Sequence, residues 1–252
     1  MKRVALLFLA AALYCLPSCK PDDANNGTST NSGKDKKNLS LKIEIDGDFS
    51  DWVATDKSLY AAAETDPDAP WDAVEEIRCC ADPDYVYYYI RYNMDVINEL
   101  MELKDQIPIR LNINTDGEFE SGYLSYSLQG YDFIVEGDLG DMAGNWCSMI
   151  GNLYQRVNGK WEKLLEKSDQ LVVGAGKGAE YEIILDRGIF SSAIYSSSQP
   201  NSSIGEVFQT GIRFYETTIQ NPGHWEELSN MPNSSEDSGY ADLLEVTTVK
   251  GK

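Results

Sequence analysis

Hydrophobic and polar positions divide this chain of 252 residues into three stretches of different character. An unbroken apolar run covers residues 4–16, directly after Lys2 and Arg3. Residues 20–38 are then Pro, Asp, Asn, Gly, Ser, Thr and Lys, with Ala24 the one apolar side chain of the usual core types. From Leu39 onward, short runs of β-branched and aromatic residues alternate with turn chemistry. Residues 41–45 (Leu-Lys-Ile-Glu-Ile) alternate apolar and polar and end in Asp46-Gly47-Asp48, the pattern of a half-buried strand entering a turn. Residues 74–80 and 85–92 flank Ala81-Asp82-Pro83-Asp84, which predicts a hairpin. Further strands are predicted over residues 107–113, 131–135, 153–157, 171–173, 181–185, 207–215 and 241–246. One or two short helices are predicted, the first started by Asp95 and carrying Ile97, Leu100 and Met101, the second started by Asp186 and running through Ile189, Phe190 and Ala193. Strand spacing and the absence of repeated βα units predict an all-β protein, an antiparallel β-sandwich over residues 39–252 as a single domain.

The first two stretches set an expected location. A run of thirteen apolar residues is short of the roughly 20 needed to span a bilayer and fits the apolar core of a signal peptide over residues 1–18. Leu16-Pro17-Ser18-Cys19 looks like a bacterial lipobox, which makes Cys19 the lipidated first residue of the mature chain. An ordinary signal peptide cleaved at small residues is the alternative. Residues 19–38 read as the lipidated cysteine and a flexible tether, with nothing to bury and a root-mean-square span of roughly 25 Å. Asp22-Asp23 resembles the short acidic signal that sends some lipoproteins of Gram-negative gut bacteria to the cell surface. An outer-membrane lipoprotein, facing the periplasm or the exterior, is therefore expected. Its membrane contact is the lipid anchor alone.

Charge and composition narrow the chemistry. Forty-one acidic residues against twenty-one basic ones give a formal net charge of −20, and cleavage with Lys2 and Arg3 would make it −22. Such a surface repels phosphate backbones, so no nucleic-acid partner is expected. One histidine, His224, excludes a His-rich metal centre and leaves one candidate for a Ser-His or Cys-His pair. No Gly-x-Ser-x-Gly motif surrounds a serine, and no enzyme is expected. Apart from Cys15 and Cys19, the cysteines are Cys79, Cys80 and Cys147. Cys79 and Cys80 are neighbours on a predicted strand and so point to opposite faces. A disulfide from one of them to Cys147 and buried free thiols are both open. The same alternation puts Tyr85, Tyr87 and Tyr89 on one face and Val86, Tyr88 and Ile90 on the other, leaving open which face meets the core.

Ile45-Asp46-Gly47-Asp48-Phe49-Ser50-Asp51-Trp52 resembles the opening strand and turn of the family 9 carbohydrate-binding modules and their DOMON-like relatives. Asp82-Pro83-Asp84 followed by the strand from Tyr85 to Ile90 is similar to the acidic turn and aromatic strand that come next. Ile113-Asn114-Thr115-Asp116-Gly117, running to Gly122-Tyr123, resembles a later strand. Tyr131-Asp132-Phe133-Ile134-Val135-Glu136-Gly137 is similar to a stretch in bacterial surface lipoproteins of this type. Tyr181-Glu182-Ile183-Ile184-Leu185-Asp186 and Gly211-Ile212-Arg213-Phe214 continue the order. The resemblance covers most of residues 41–247 and implies a sandwich of jelly-roll or immunoglobulin-like shape. It implies little about ligand, since related domains take sugars, haem or other proteins. Trp52 is expected in the core, closing one end of the sandwich.

Two sets of residues carry candidate chemistry. Asn112 to Glu118 place oxygen donors at alternate positions before a glycine, as in the first half of an EF-hand loop. A partial calcium site of Asn114, Asp116, Glu118 and Asp132 is one reading, with Glu120 as a further donor. The other is an Asx-Gly turn capping its own backbone; Tyr123 stands where the bidentate Glu is needed. Four tryptophans, Trp71, Trp146, Trp161 and Trp225, sit among polar loop residues, where an indole beside Asp, Asn or Arg suits stacking on a sugar. In the family resembled, two tryptophans flank one sugar, and Trp71 with Trp225 would be the equivalents. The expected function is non-catalytic binding of a glycan or other neutral ligand. The alternative is a structural subunit of an outer-membrane uptake complex, with a protein partner and no small ligand.

Overall fold

The computed structural model describes residues 41–65, 73–95, 98, 107–117, 123–125, 128–139, 145–146, 151–157, 160–168, 172–192, 204–217, 225–232 and 243–250. Cys19, Trp71, Glu118 and Cys147 lie outside these residues. In chain order the elements are helix α1 (Ser50–Ala54), a 3-10 turn (Lys57–Leu59), strands β1 (Ala61–Glu64), β2 (Val74–Ala81), β3 (Tyr85–Tyr92), β4 (Ile107–Asn114), β5 (Tyr123–Ser125), β6 (Leu128–Tyr131), β7 (Phe133–Leu139), β8 (Asn145–Trp146), β9 (Gly151–Val157), β10 (Lys160–Ser168), β11 (Val172–Lys177) and β12 (Glu180–Asp186), helix α2 (Arg187–Ser192), then β13 (Val207–Thr217), β14 (Trp225–Met231) and β15 (Leu244–Thr247).

The strands build an all-β sandwich. One sheet has the order β1-β2-β3-β12-β11-β8, and the other β10-β9-β7-β4-β13-β14. The long strand β13 carries two partners on one edge: β15 along residues 207–210 and β14 along residues 212–217. Every described pairing is antiparallel. Between the sheets lies one apolar cluster drawn from both, including Ile77, Tyr88, Ile90, Leu111, Phe133, Tyr181, Ile183, Phe208 and Ile212. A polar tie crosses it. Thr210 Oγ1 donates to the Asn112 carbonyl at 2.9 Å, so the Tyr88 hydroxyl is the donor in its 2.8 Å bond to Thr210 Oγ1.

Both faces of the tyrosine strand are used. Val86, Tyr88 and Ile90 enter the core between the sheets, whereas Tyr87 and Tyr89 form a second cluster on the outer face with Ile43, Phe49, Trp52 and Cys80. The cover over that face is the segment from Leu41 to Tyr60. This corrects the predicted strand at residues 41–45. The alternation is real, since Ile43 is buried, but the segment joins no ladder. The Glu44 amide is taken instead by Asp51 Oδ2 at 2.7 Å, and the apolar face packs on the sheet rather than pairing with it. Cys79 and Cys80 are free thiols, buried on opposite faces of β2, and burial pushes both well above the ordinary thiol pKa.

The helix predicted from Asp186 is α2, capped by Asp186 Oδ1 accepting from the Gly188 amide at 2.7 Å. Near Asp95 the helical backbone begins at Met94, and the cap is Asn93, whose Oδ1 accepts from the Asp95 amide at 3.1 Å. Ile97, Leu100 and Met101 lie outside the described residues.

Candidate functional site

The opening motif is a structural latch. Glu182 on β12 has no exposed surface, and its carboxylate reaches through the outer-face cluster. Oε1 accepts from the Asp46 and Gly47 amides, each at 2.8 Å, and Oε2 accepts from Trp52 Nε1 at 3.1 Å. Gly47 sits at φ +79°, a backbone conformation that glycine adopts without steric cost. Burial raises the Glu182 carboxyl above its ordinary pKa, against the lowering influence of those three donors. Trp52 is buried, as expected from the sequence.

The Asn-Asp loop is likewise tied to itself. Asn114 Oδ1 accepts from the Gly117 amide at 2.9 Å, and Gly117 has φ +73°. Asp132 Oδ2 accepts from the Thr115 amide at 2.8 Å and from Thr115 Oγ1 at 2.6 Å. Burial raises the Asp132 carboxyl despite those bonds. Asp116 is exposed. Among the described residues, no three His, Cys, Asp or Glu side chains are grouped to hold a metal. Because the Asn114 and Asp132 oxygens serve backbone amides, calcium and EDTA are each expected to leave the thermal midpoint unchanged. A rise with calcium, the signature of a cation bound by the folded state alone, would give the loop a metal.

Trp146, Trp161 and Trp225, expected in loops, stand on strands β8, β10 and β14 instead, and the backbone spreads them over three corners. Trp161 pairs with Arg156 on edge strand β10, and Trp225 with Thr217 on β14 at the other edge of the same sheet. Five strand spacings of about 4.8 Å separate these edges, roughly 24 Å. Trp146 pairs with Gly176 at the edge of the other sheet. Strands β14 and β15 lie against β1 and β2, so Trp146 shares a flank with Trp161 but stands at the opposite end of the strands. The structure therefore does not bring Trp146, Trp161 and Trp225 to one face.

A depression opens at the other end, where the β2–β3 turn meets the start of α2. It measures about 290 Å³ and is lined by Pro83, Asp84, Tyr85, Asp186, Arg187, Gly188 and Ile204. Local sequence shapes the turn, and strand register the wall beside it. Asp82 Oδ1 accepts from the Asp84 and Tyr85 amides at 2.9 and 2.8 Å, closing the turn around Pro83. Tyr85 and Asp186 are register partners across β3 and β12, so their side chains leave the same face. Tyr85 is 39% exposed, and its ring meets the Tyr87 ring edge-on, with centroids 6.1 Å apart. The Tyr87 hydroxyl donates to Asp82 Oδ2 at 2.9 Å, fixing that supporting ring.

Arg187 binds the walls together. Its Nη1 donates to the Asp82 carbonyl at 2.5 Å and to Thr248 Oγ1 at 3.0 Å. Its Nη2 donates to the carbonyls of Ile204 and Gly205 at 2.8 and 2.9 Å. The Arg187 amide donates to the Asp84 carbonyl at 2.9 Å. Desolvation lowers the guanidinium pKa, with Asp82 and Asp84 opposing the shift. Local sequence puts Asp84 in a turn and Asp186 at a helix start, and nothing local marks Arg187. The register that unites them comes from pairing strands almost a hundred residues apart.

No family model and no curated protein matches the chain. Among solved structures, it is similar to a protein from Bacteroides uniformis ATCC 8492 provisionally named for carbohydrate binding. The two share 9% identity with a TM-score of 0.34 over 75% of this chain and 85% of that one. A likeness of that size carries no argument about ligand. The class defined by the fold is an all-β sandwich with an open polar-aromatic depression at one end.

Proposed function

We propose that this protein is a non-catalytic glycan-binding lipoprotein of the bacterial cell envelope, held to the outer membrane through Cys19. The depression between the β2–β3 turn and α2 takes the sugar. One observation carries the reading: exposed Tyr85, its ring met edge-on by Tyr87, lines the depression together with Asp84 and Asp186. A ring face stacks on the C–H face of a pyranose, and the neighbouring carboxylates accept its hydroxyl protons. The volume suits a terminal sugar residue more than a long chain. The resemblance to family 9 modules belongs to the same proposal and rests on the order of motifs along the chain. The tether before Leu39 would give the domain reach from the membrane.

A glycan array probed with the wild-type chain and with Tyr85→Ala tests the reading. The array is expected to show binding that weakens about tenfold or more in the variant, the loss of one good ring contact. Tyr85 is exposed, so its removal leaves the core intact. Equal binding by both chains would place the site elsewhere. No binding by the wild type would favour the structural-subunit reading.

A further inference from the structure

We infer that the depression selects a sugar carrying a protonated amine, with the ammonium against the Tyr85 ring between Asp84 and Asp186. This rests on the depression being the glycan site and adds the class of glycan.

Asp186 Oδ1 accepts from the Gly188 amide. Asp186 Oδ2 and the whole Asp84 carboxylate receive no hydrogen bond from the described residues. The cation in the lining, Arg187, directs its guanidinium to the carbonyls of Asp82, Ile204 and Gly205 and to Thr248 Oγ1. Its hydrogen bonds go to the protein's own oxygens, and its charge, which acts on Asp84, offsets one of the two lining carboxylates and leaves the lining with an excess negative charge. The depression thus presents acceptors and an aromatic face, which is the chemistry that holds a cation. A ligand that only donates is favoured, and a carboxylated or sulfated sugar is repelled.

The same sheet face already holds one cation in this way. The Arg78 guanidinium lies over the rings of Tyr89 and Tyr60, at 4.7 and 5.4 Å from their centroids. Its Nε donates to Glu76 Oε1 at 2.6 Å. Ring plus carboxylate is satisfied there by the chain's own arginine. At the depression, Tyr85 and two aspartates line the wall, and the nearby arginine gives its hydrogen bonds to the protein. The net charge of −20 adds long-range attraction for a cationic glycan.

Isothermal calorimetry with the full chain tests this, using a fully deacetylated glucosamine hexamer and the N-acetylglucosamine hexamer of the same linkage. The deacetylated hexamer is expected to bind roughly tenfold more tightly at low salt, the combined effect of one exposed ion pair and one ring contact. Added salt should narrow that ratio. Because an acidic protein attracts any polycation, two double variants separate site from surface. Asp84→Asn with Asp186→Asn is expected to abolish the preference, whereas Glu64→Gln with Glu245→Gln, an equal charge change on exposed strand positions, should preserve it. A preference that survives in the Asp84/Asp186 variant, or falls equally in both, overturns the inference. Equal binding of the two hexamers, lost in Tyr85→Ala, also overturns it while leaving the glycan site standing. If neither hexamer binds, the amine selection is overturned, and the array alone decides whether the depression takes another sugar.

Discussion

Replacing Trp52 by alanine is expected to cost about 4 kcal/mol of folding stability, near the middle of the range for a buried tryptophan. The ring is 1% exposed, packs 5.8 Å from the Tyr89 ring, and helps close the outer-face cluster over β2, β3 and β12. The indole does more than fill space. Its Nε1 is one of three donors to the Glu182 carboxylate, so alanine removes packing and a buried hydrogen bond together. Trp52→Phe separates the two effects: most of the packing stays, and Glu182 Oε2 loses its described donor, a loss of about 1–3 kcal/mol. Urea unfolding with an unchanged m-value is the measurement. A loss below about 1 kcal/mol in the alanine variant would mean that the Leu41–Tyr60 cover is not part of the cooperative fold.

Arg187→Met is expected to cost about 3 kcal/mol and to abolish glycan binding. Methionine keeps much of the aliphatic stem but leaves the carbonyls of Asp82, Ile204 and Gly205 without their charged donor. Hydrogen bonds to charged groups contribute about 1.5–3 kcal/mol each and are not additive. The guanidinium is only half-buried, which keeps the expected total near the lower end. The effect on binding follows from which walls it joins. The turn at Pro83–Tyr85, the chain at Ile204 and Thr248 after β15 converge on this side chain and its amide bond to Asp84, beside the direct bonds of Thr248 to Gly205 and Glu206 and of Val249 to Ala81. Lysine restores the charge but not the planar fork that reaches several oxygens at once, so Arg187→Lys should recover part of the stability and little of the affinity. Unfolding curves and calorimetry on the same samples check both halves. Unimpaired binding in Arg187→Met would show that the depression is shaped without it.

The sandwich was legible because period-two alternation and turn residues act locally. The hairpin from Val74 to Tyr92 follows from Asp82-Pro83, and the α2 start follows from Asp186, since a turn and a cap are decided within a few residues. Residues 41–45 show the limit. Their alternation records one buried face, and a segment lying across a sheet buries one face as a strand does. What differs is where the amide protons go, and the Glu44 amide goes to the Asp51 side chain, which alternation cannot express. Strands β10 and β14 were not predicted, because Lys160–Ser168 and Trp225–Met231 are rich in Lys, Glu, Ser and Asn and owe their strand state to edge pairing.

The site was less legible than the fold. Trp52 could be assigned to the core from its place in the opening motif, but its partner Glu182 lies 130 residues away. The tryptophans drew attention as stacking rings, yet ring type alone carries no position. Sheet order places Trp161 and Trp225 at opposite edges. Tyr85 is one ring in a run of tyrosines, and it differs from Tyr87 and Tyr89 only because the Leu41–Tyr60 cover ends before it. Asp84, Asp186 and Arg187 had local structural reasons to exist, in a turn, a cap and a helix start, and those reasons hid their convergence.

Binding of a glycan at the end depression is tested by amide chemical shifts followed during titration with an array-identified glycan. The largest changes are expected at Asp84, Tyr85, Gly188 and Gly205, with the Trp146, Trp161 and Trp225 indole signals unmoved. Changes confined to those indoles, with Tyr85 and Gly188 silent at saturation, would contradict it.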